Sequence, residues 1–227
     1  MADPGDTASP SDAEPDAQAH VEAHGRTAGD DPRERWNTSW QQRAEEREPA
    51  AFLTRRAHLL PDRGRVLDVA GGDGRNAVWL AQHGLEVTLV DVSDVAVDRA
   101  AARAAAAGVS IEAIRRDVER RGLPPGPWDV IVITYFLDRA VLRQAPGLLA
   151  VDGLLLFAHP TVRNLERHDR PSRAWLLAEG ELDELTAALD GVEVVEASEG
   201  WTEEDRHEAR LVARRVSARR SGRPRGR

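Results

Sequence analysis

The sequence predicts an α/β fold in which helices cover both faces of a parallel sheet. Apolar strand-like runs alternate with segments of helical periodicity along the middle of the 227-residue chain, and this alternation is typical of parallel sheets. Residues 128–134 are almost all apolar, as expected of a central strand that is buried on both faces. Apolar residues make up 41% of the chain, which is enough for the core of one domain.

The elements follow one another in order along the chain. The first strand, 65–69, is a short buried run that ends in a glycine turn, and a helix over 74–84 begins there. The helix over 94–107 has well-marked ends, because Ser93 can cap it and Gly108 can end it. Strands are predicted at 65–69, 86–91, 110–115, 128–134, 153–159, 192–197 and 208–215. Helices are predicted at 50–60, 74–84, 94–107, 138–149 and 179–190.

The two ends of the chain differ from the middle in composition. Residues 1–33 are rich in Ala, Asp, Pro, Ser and Gly and have almost no large apolar side chains, so we predict an acidic, disordered segment. Residues 216–227 are predicted to be a disordered, Arg-rich tail, which leaves one domain at 34–215. The body between 36 and 213 has a net charge of −9. Such a surface is a poor match for polyanions, and we expect no nucleic-acid partner.

Other absences limit the function further. The chain has no cysteine, which excludes disulfides, thiolate metal sites and cysteine nucleophiles. No run of about 18 apolar residues is present, so no membrane partner is expected. No signal-peptide pattern is visible, which makes a cytoplasmic location the default expectation. The spacing of the histidines is not metal-like, so we expect no metal. The sequence leaves the oligomeric state open.

The most informative segment is the glycine turn after the first strand. A strand, a glycine turn and a helix together form a nucleotide-type cofactor site at the carboxyl end of a parallel sheet. The spacing Gly72-x-Gly74-x-x-Ala77 fits the dinucleotide pattern, and Asp91 follows at a suitable distance for a ribose contact. However, Asp68 and Asp73 would repel a pyrophosphate and attract the cationic S-adenosylmethionine. We therefore favour S-adenosylmethionine, with an NAD(P)-dependent reductase as the alternative.

The run Val66-Leu67-Asp68-Val69-Ala70-Gly71-Gly72-Asp73-Gly74-Arg75-Asn76-Ala77 resembles motif I of the class I S-adenosylmethionine-dependent methyltransferases. Its Gly-Arg-Asn ending is similar to the branch that contains the tellurite-resistance and thiopurine methyltransferases. Further matches at 87–93, 116–118 and 176–182 extend the resemblance over about residues 36 to 215. The resemblance implies a Rossmann-like, seven-stranded, mostly parallel sheet whose last two strands form an antiparallel hairpin. Ala70 replaces the first glycine of the family, which leaves open a non-catalytic fold relative.

The cofactor-binding candidates follow from the residues and from this resemblance. Asp68 would orient the cofactor amino group, and Asp91 would accept hydrogen bonds from the ribose. The resemblance implies that Asp117 accepts from the adenine amino group and that a segment with Trp36 and Trp40 closes over the cofactor. Simpler interpretations are a solvent-exposed acid for Asp117 and helix packing for the tryptophans. The candidates are Trp36, Asp68, Ala70, Gly71, Gly72, Gly74, Asn76, Asp91, Val92, Asp117, Val118 and Thr134.

The acceptor side of the reaction is less clear from sequence. No Asn/Asp-Pro-Pro-Tyr run follows the strand at 128–134, which argues against methylation of exocyclic amines by the route that uses it. Tyr135 could line the adenine pocket or the acceptor pocket. No catalytic residue is assigned, and the expected activity is methyl transfer to a small molecule. Residues that could bind an anionic acceptor or accept a proton are His159, Arg163, His168, Arg170, His207 and Arg210.

Overall fold

The computed structural model describes residues 31–44 and 47–217. Seven strands form one sheet in the order β3-β2-β1-β4-β5-β7-β6. Strands β1 to β5 are parallel, and β7 runs antiparallel between β5 and β6. This arrangement confirms the predicted fold. The strands are β1 (Arg65–Val69), β2 (Glu86–Asp91), β3 (Glu112–Arg115), β4 (Trp128–Thr134), β5 (Leu149–Pro160), β6 (Val192–Trp201) and β7 (His207–Arg215).

Helices lie on both faces of this sheet. They are α1 (Pro32–Gln42), α2 (Ala51–Thr54), α3 (Arg75–Gln82), α4 (Asp94–Ala106), α5 (Val118–Arg121), α6 (Arg139–Leu148) and α7 (Glu181–Ala187). Short 3-10 segments occur at Ala57–Leu59, Val162–Glu166 and Arg173–Trp175. The predicted cap of α4 is confirmed, since the Ser93 side chain accepts from the Ala96 amide and Gly108 follows the helix at a φ of +69°.

The structure corrects two of the expected boundaries. The predicted helix over 50–60 is wrong, because α2 ends at Thr54 and only a 3-10 segment follows. Helix α1 begins at Pro32, inside the segment predicted to be disordered, because the Asp31 side chain accepts from the Arg33 amide and caps it. The other predicted disordered residues, 1–30 and 218–227, lie outside the described part of the chain.

The core has two layers separated by the sheet. Alternate residues of β4 point to opposite faces, so that Val130 and Val132 pack beside α3 and α4. Ile131 and Ile133 pack on the other face, beside α6 and α7. All four side chains are almost completely buried, which agrees with the apolar run seen in the sequence.

The order of the strands decides where a ligand can bind. Strand β1 lies between β2 and β4 in the sheet. The connection that leaves β1 runs to β2, and the connection that leaves β3 runs to β4, on the other side of β1. The carboxyl ends of β1, β2 and β4 therefore border one crevice, which is the usual ligand-binding position in sheets of this kind. In the described part of the chain, no helix has the length and apolar character needed to cross a membrane.

Candidate active site

The glycine turn after β1 depends on residues with little or no side chain. Gly72 and Gly74 have φ angles of +59° and +79°, a region that non-glycine residues rarely adopt. A Cβ on Gly72 would lie 2.5 Å from Cζ2 of Trp40, and a Cβ on Gly71 would lie 2.7 Å from Oδ2 of Asp68. Ala70 also has a positive φ, +51°, a conformation that costs an alanine about 1–2 kcal/mol.

Asp68 is a buried carboxylate at the end of β1. Its side chain is fully buried, and within the described residues neither oxygen has a hydrogen-bond partner of normal geometry. Burial raises the pKa of Asp68 to about 7, and the charge of Arg75 offsets part of this increase. A buried carboxylate without partners is costly. The site is therefore suited to a ligand that brings a positive charge.

Asp91 ends β2 beside the same turn and supports it directly. Its Oδ2 accepts from the Gly72 amide at 3.0 Å, and its Oδ1 accepts from the Ser93 amide at 2.9 Å. Burial raises the pKa of Asp91 to about 6, although these amides lower it in part. The two oxygens of a carboxylate can accept about four hydrogen bonds, so Asp91 retains capacity for a ligand hydroxyl.

Asp73 lies in the turn, but it has ion-pair partners that the charge argument did not include. Its carboxylate forms ion pairs with Arg47 at 3.2 Å and with Arg103 at 2.9 Å. These two guanidinium groups neutralise its charge at the turn. Of the two carboxylates first considered, only Asp68 is left without a partner in the described structure.

Asn76 and Thr134 bind each other rather than facing the crevice with free polar groups. The Asn76 Nδ2 donates to the Thr134 hydroxyl at 2.9 Å, and its Oδ1 accepts from the Ala50 amide at 2.9 Å. Asn76 is buried, and these bonds connect the start of α3 with the end of β4 and with the start of α2. The Gly-Arg-Asn sequence therefore has a structural explanation in addition to any contact with a ligand.

A narrow cleft of about 40 Å³ is lined in part by Asp91. Asp117 caps α5, with its Oδ1 accepting from the Arg120 amide at 3.0 Å. The cleft thus combines apolar walls with carboxylates at its base, as expected of a nucleoside pocket. Its lining includes Trp36, Ala70, Asp91, Val92, Asp117, Val118 and Tyr135.

Helix α1 packs against this cleft and against the turn. The Trp40 indole lies on Gly72, as the close approach to its Cβ position shows. Asn37 Oδ1 accepts from the Ser93 hydroxyl at 2.7 Å, and Arg33 forms an ion pair with Asp94 at 3.2 Å. Trp36, also buried, lines the cleft. These contacts fix α1 over the cofactor side of the crevice.

Tyr135 is the centre of a polar cluster that sequence reasoning did not identify. It follows β4 with a φ of +58°, and its hydroxyl donates to Glu208 at 2.9 Å. The guanidinium carbon of Arg75 lies 5.4 Å from the ring centroid, and that of Arg206 lies 5.2 Å from it. No sequence signal could link these residues, because they are separated by up to 133 positions.

Several residues expected at the acceptor edge make internal contacts instead. His159 is buried, its Nε2 donates to the Trp175 carbonyl at 2.7 Å, and burial lowers its pKa to about 4. His207 is hydrogen-bonded to Thr161 at 2.7 Å. Arg163 forms an ion pair with Glu166 at 2.8 Å, and His168 is hydrogen-bonded to the Asp205 carbonyl. Across the described residues, no group of three or more His, Asp or Glu side chains is arranged to hold a metal.

Comparison with known proteins supports the resemblance seen in the motif. Residues 66–153 match the family described as Methyltransferase domain. The tRNA 5-carboxymethoxyuridine methyltransferase of Escherichia coli (strain K12) is 44% identical over 123 residues, 50% of this chain and 46% of that protein. Protein-L-isoaspartate O-methyltransferase 1 of Rhodopseudomonas palustris (strain HaA2) is 41% identical over 70 residues, 30% of this chain and 29% of that protein. The chain spans less than half the length of either relative.

Solved structures share the fold of this chain. TehB from Haemophilus influenzae superposes with a TM-score of 0.60 at 20% identity, over 81% of this chain and 66% of that one. Magnesium protoporphyrin IX methyltransferase from Synechocystis PCC 6803, solved with bound SAH, gives a TM-score of 0.57 at 19% identity, over 73% of this chain and 80% of that one. These likenesses concern the fold. The chain is therefore similar to the Methyltransferase domain family over residues 66–153, and its described residues have the fold of these solved structures.

Proposed function

We propose that this chain transfers the methyl group of S-adenosylmethionine to a small-molecule acceptor. The observation that carries the proposal is Asp68, a fully buried carboxylate without a hydrogen bond at the end of β1. A cationic cofactor would supply the missing positive charge, whereas a dinucleotide pyrophosphate would add a negative one. The charge argument against a reductase therefore survives, although Asp73 no longer contributes to it.

The residues around the turn fit this cofactor. Asp68 would hold the amino group, and Asp91 would accept from ribose hydroxyls with its remaining lone pairs. Gly71 and Gly72 provide a backbone surface where an added Cβ would collide with neighbouring side chains. Val92, Asp117 and Val118 would surround the adenine in the cleft, with Trp36 covering it. Ala70, Gly74, Asn76 and Thr134 would act by shaping the turn and its support.

The chemistry needs little from the protein beyond positioning. When bound, S-adenosylmethionine supplies an electrophilic methyl group, which passes to a nucleophile of the acceptor as the thioether leaves. Holding two reactants in a productive geometry can lower a barrier by about 7–11 kcal/mol. The walls of the cleft and helix α1 would provide this positioning and exclude water. The lysine-free chain and the neutral, buried His159 offer few general bases, which agrees with an acceptor that is already nucleophilic.

The nature of the acceptor separates two candidates. The body of the chain has a net charge of −9 between residues 36 and 213, which favours a small molecule over a nucleic acid. A nucleoside in tRNA is the second candidate, because one relative is a tRNA 5-carboxymethoxyuridine methyltransferase. The Gly-Arg-Asn ending of the motif instead supports the tellurite-resistance and thiopurine branch.

Two measurements test the proposal. Calorimetric titration should show binding of S-adenosylmethionine and its demethylated product, and no binding of NADH. Methyl incorporation from labelled cofactor should occur with small acceptors and not with bulk tRNA, with or without residues 214–227. Tight NADH binding alone would contradict the cofactor assignment, and efficient transfer to tRNA by the tailless protein would replace the small molecule with the second candidate.

A further inference from the structure

We propose that Asn37 is a positioning residue that sets how fast the cofactor enters and leaves the cleft. Its side chain joins helix α1, which forms one wall of the cleft, to the start of α4, just after the carboxylate of Asp91. The inference rests on the proposed function, because it concerns the cofactor of the same site. It assigns a role in cofactor exchange to a residue that none of the motifs indicated.

The cleft is too narrow for the proposed cofactor while α1 keeps its present position. Its volume is about 40 Å³. Pockets for small molecules usually measure about 300–1,000 Å³. Pro32, Arg35 and Trp36 of α1 form part of its lining, and strand ends such as Asp91 form another part. Strands β1 and β2 are each paired on both sides, so their ends are held firmly. The wall that can move to admit a cofactor is therefore α1.

Helix α1 is packed separately from the main core. Trp36 and Trp40 form a small apolar cluster with Ala96 of α4, and Val92 and Val95 pack against it. Within the described residues, no member of this cluster belongs to either of the two core layers that cover the sheet. Elements with few buried contacts open locally at a lower cost than that of unfolding the whole domain. Displacing α1 therefore breaks this cluster and leaves the two core layers intact.

The side chain of Asn37 holds α1 against the start of α4. Its Oδ1 accepts from the Ser93 hydroxyl at 2.7 Å and from the Val95 amide at 3.4 Å. Its Nδ2 donates to an Asp94 carboxylate oxygen at 3.5 Å. Arg33 also pairs with Asp94, but these two side chains are 46% and 43% exposed, and exposed ion pairs contribute little. The Asn37 amide thus contacts three consecutive residues at the start of α4.

This contact lies next to the carboxylate that is proposed to bind the ribose. The Ser93 amide donates to Asp91 Oδ1 at 2.9 Å, while the Ser93 hydroxyl donates to Asn37. Ser93 is fully buried, so water does not compete for these bonds. Trp36, the residue before Asn37, lines the cleft. Breaking the Asn37 contact therefore releases the wall of the cleft beside Asp91.

A contact of this kind has a kinetic signature. The cofactor enters and leaves only while α1 is displaced, and the same bonds hold α1 with and without the cofactor. Removing the Asn37 amide therefore raises the association and dissociation rate constants by the same factor. The dissociation constant, which is the ratio of the two, stays nearly the same. A residue that binds the cofactor directly would instead change the dissociation rate constant alone.

The test compares Asn37→Ala with Gln41→Ala, which removes an exposed amide from the same helix. Binding and release of S-adenosylhomocysteine by the full-length chain are followed by stopped-flow tryptophan fluorescence, since Trp36 lines the cleft. Asn37→Ala should raise both rate constants by about fivefold, the effect of one lost hydrogen bond, and change the dissociation constant by less than about twofold. Gln41→Ala should change none of these values. In the absence of ligand, amide hydrogen exchange in Asn37→Ala should accelerate by a similar factor in α1 and stay unchanged in α3.

Each other result has a defined meaning. Faster dissociation with unchanged association would assign Asn37 to direct cofactor binding and overturn the inference. Unchanged rate constants, unchanged exchange in α1, or slower association in a less stable protein would reduce Asn37 to a packing residue. Asn37→Leu, which keeps a side chain of similar size without its hydrogen bonds, should match Asn37→Ala. Rate constants of the unmodified protein in Asn37→Leu would show that the volume of the side chain matters and not its amide.

The same measurements separate this inference from the proposed function. The affinity of the unmodified protein for S-adenosylhomocysteine is measured first, by calorimetry. Absence of binding would overturn the proposed function and the role of Asn37 in cofactor exchange, while hydrogen exchange would still decide whether Asn37 holds α1. Binding with rate constants that do not respond to Asn37→Ala would overturn only the inference about Asn37.

Discussion

Replacing Asp68 with asparagine should stabilise the cofactor-free protein while weakening its cofactor affinity. Asp68 is fully buried at the end of β1, and its oxygens lack hydrogen bonds from the described residues. Its negative charge is therefore unfavourable for folding and useful only when a cation binds beside it. Asparagine has nearly the same shape and removes that charge.

The magnitude follows from the pKa of Asp68, which burial raises from 3.8 to about 7. Each tenfold change in proton affinity is worth about 1.4 kcal/mol, so the charged form opposes folding by up to about 4 kcal/mol. The folded protein holds this proton more tightly than the unfolded chain does. Stability should therefore fall as the pH rises from about 4 to about 7 and should change little from this group above that range.

The expected gain in folding stability of the Asp68→Asn variant is thus limited to neutral and basic pH. At about pH 8 the variant should be more stable than the unmodified protein, by less than the full 4 kcal/mol or so, because a buried amide without partners also has a cost. Below about pH 4 both side chains are neutral, and the difference should disappear. Cofactor binding should behave in the opposite way. It should strengthen through about pH 7 in the unmodified protein and show no such dependence in the variant.

Urea unfolding at about pH 4 and about pH 8, and calorimetric titration with S-adenosylhomocysteine across the same range, check these expectations. In Asp68→Asn, the loss of a hydrogen bond to a charged group should weaken cofactor binding by about tenfold or more. Asp98→Asn, on the exposed side of α4, is the matched control. The reasoning fails if Asp68→Asn destabilises the protein equally at both pH values, since the carboxylate would then be a structural hydrogen-bond acceptor.

Three further changes test the turn and its cover. Asp91→Ala should weaken the binding of S-adenosylhomocysteine by about tenfold or more, because the contacts of Asp91 with the ribose and with the turn are lost together. An unchanged dissociation constant, measured by calorimetry, would show that Asp91 only supports the turn. Gly72→Ala should destabilise the protein by about 1–3 kcal/mol, because the added Cβ would collide with Trp40. Gly147→Ala is the control and should not destabilise it, because a Cβ there has no other atom within 4 Å. Equal melting temperatures of the two variants would contradict this prediction. Deleting residues 1–30 should leave cofactor affinity intact, and deletion through Trp40 should reduce it; matching affinities would reduce α1 to a packing element.

The turn proposed to bind the cofactor could be located from sequence because its parts are close together along the chain. The strand, the glycine turn and Asp68 lie within ten consecutive residues, and Asp91 ends the next strand. The predictions that were wrong depended on contacts between residues that are distant in sequence. The helix predicted over 50–60 ends at Thr54, and Arg56, which follows it outside helical geometry, pairs with Glu196 of β6. Propensity within one segment cannot show such a contact, because tertiary packing overrides it.

Contacts between distant segments also explain why the sequence did not indicate the partners of Asp73 and Asn76. Asp73 was expected to face the cofactor, but Arg47 and Arg103 neutralise it from separate segments. A cofactor contact of Asn76 stays a prediction, but its amide also joins Ala50 and Thr134, which the sequence did not indicate. In both cases the residue was correctly placed next to the turn. Its partner was fixed by the fold and not by the motif.

The turn between β6 and β7 lies outside the segment that matches the family, and it reaches the same edge of the sheet from a distant part of the chain. Because β7 lies between β5 and β6, the turn that carries Arg206 reaches the same sheet edge as the glycine turn. The hydrogen bonds that Asp91 accepts from the Gly72 and Ser93 amides do not involve that turn. Relatives that share the matched segment 66–153 need not share an acceptor, since the segment ends before the residues expected at the acceptor edge.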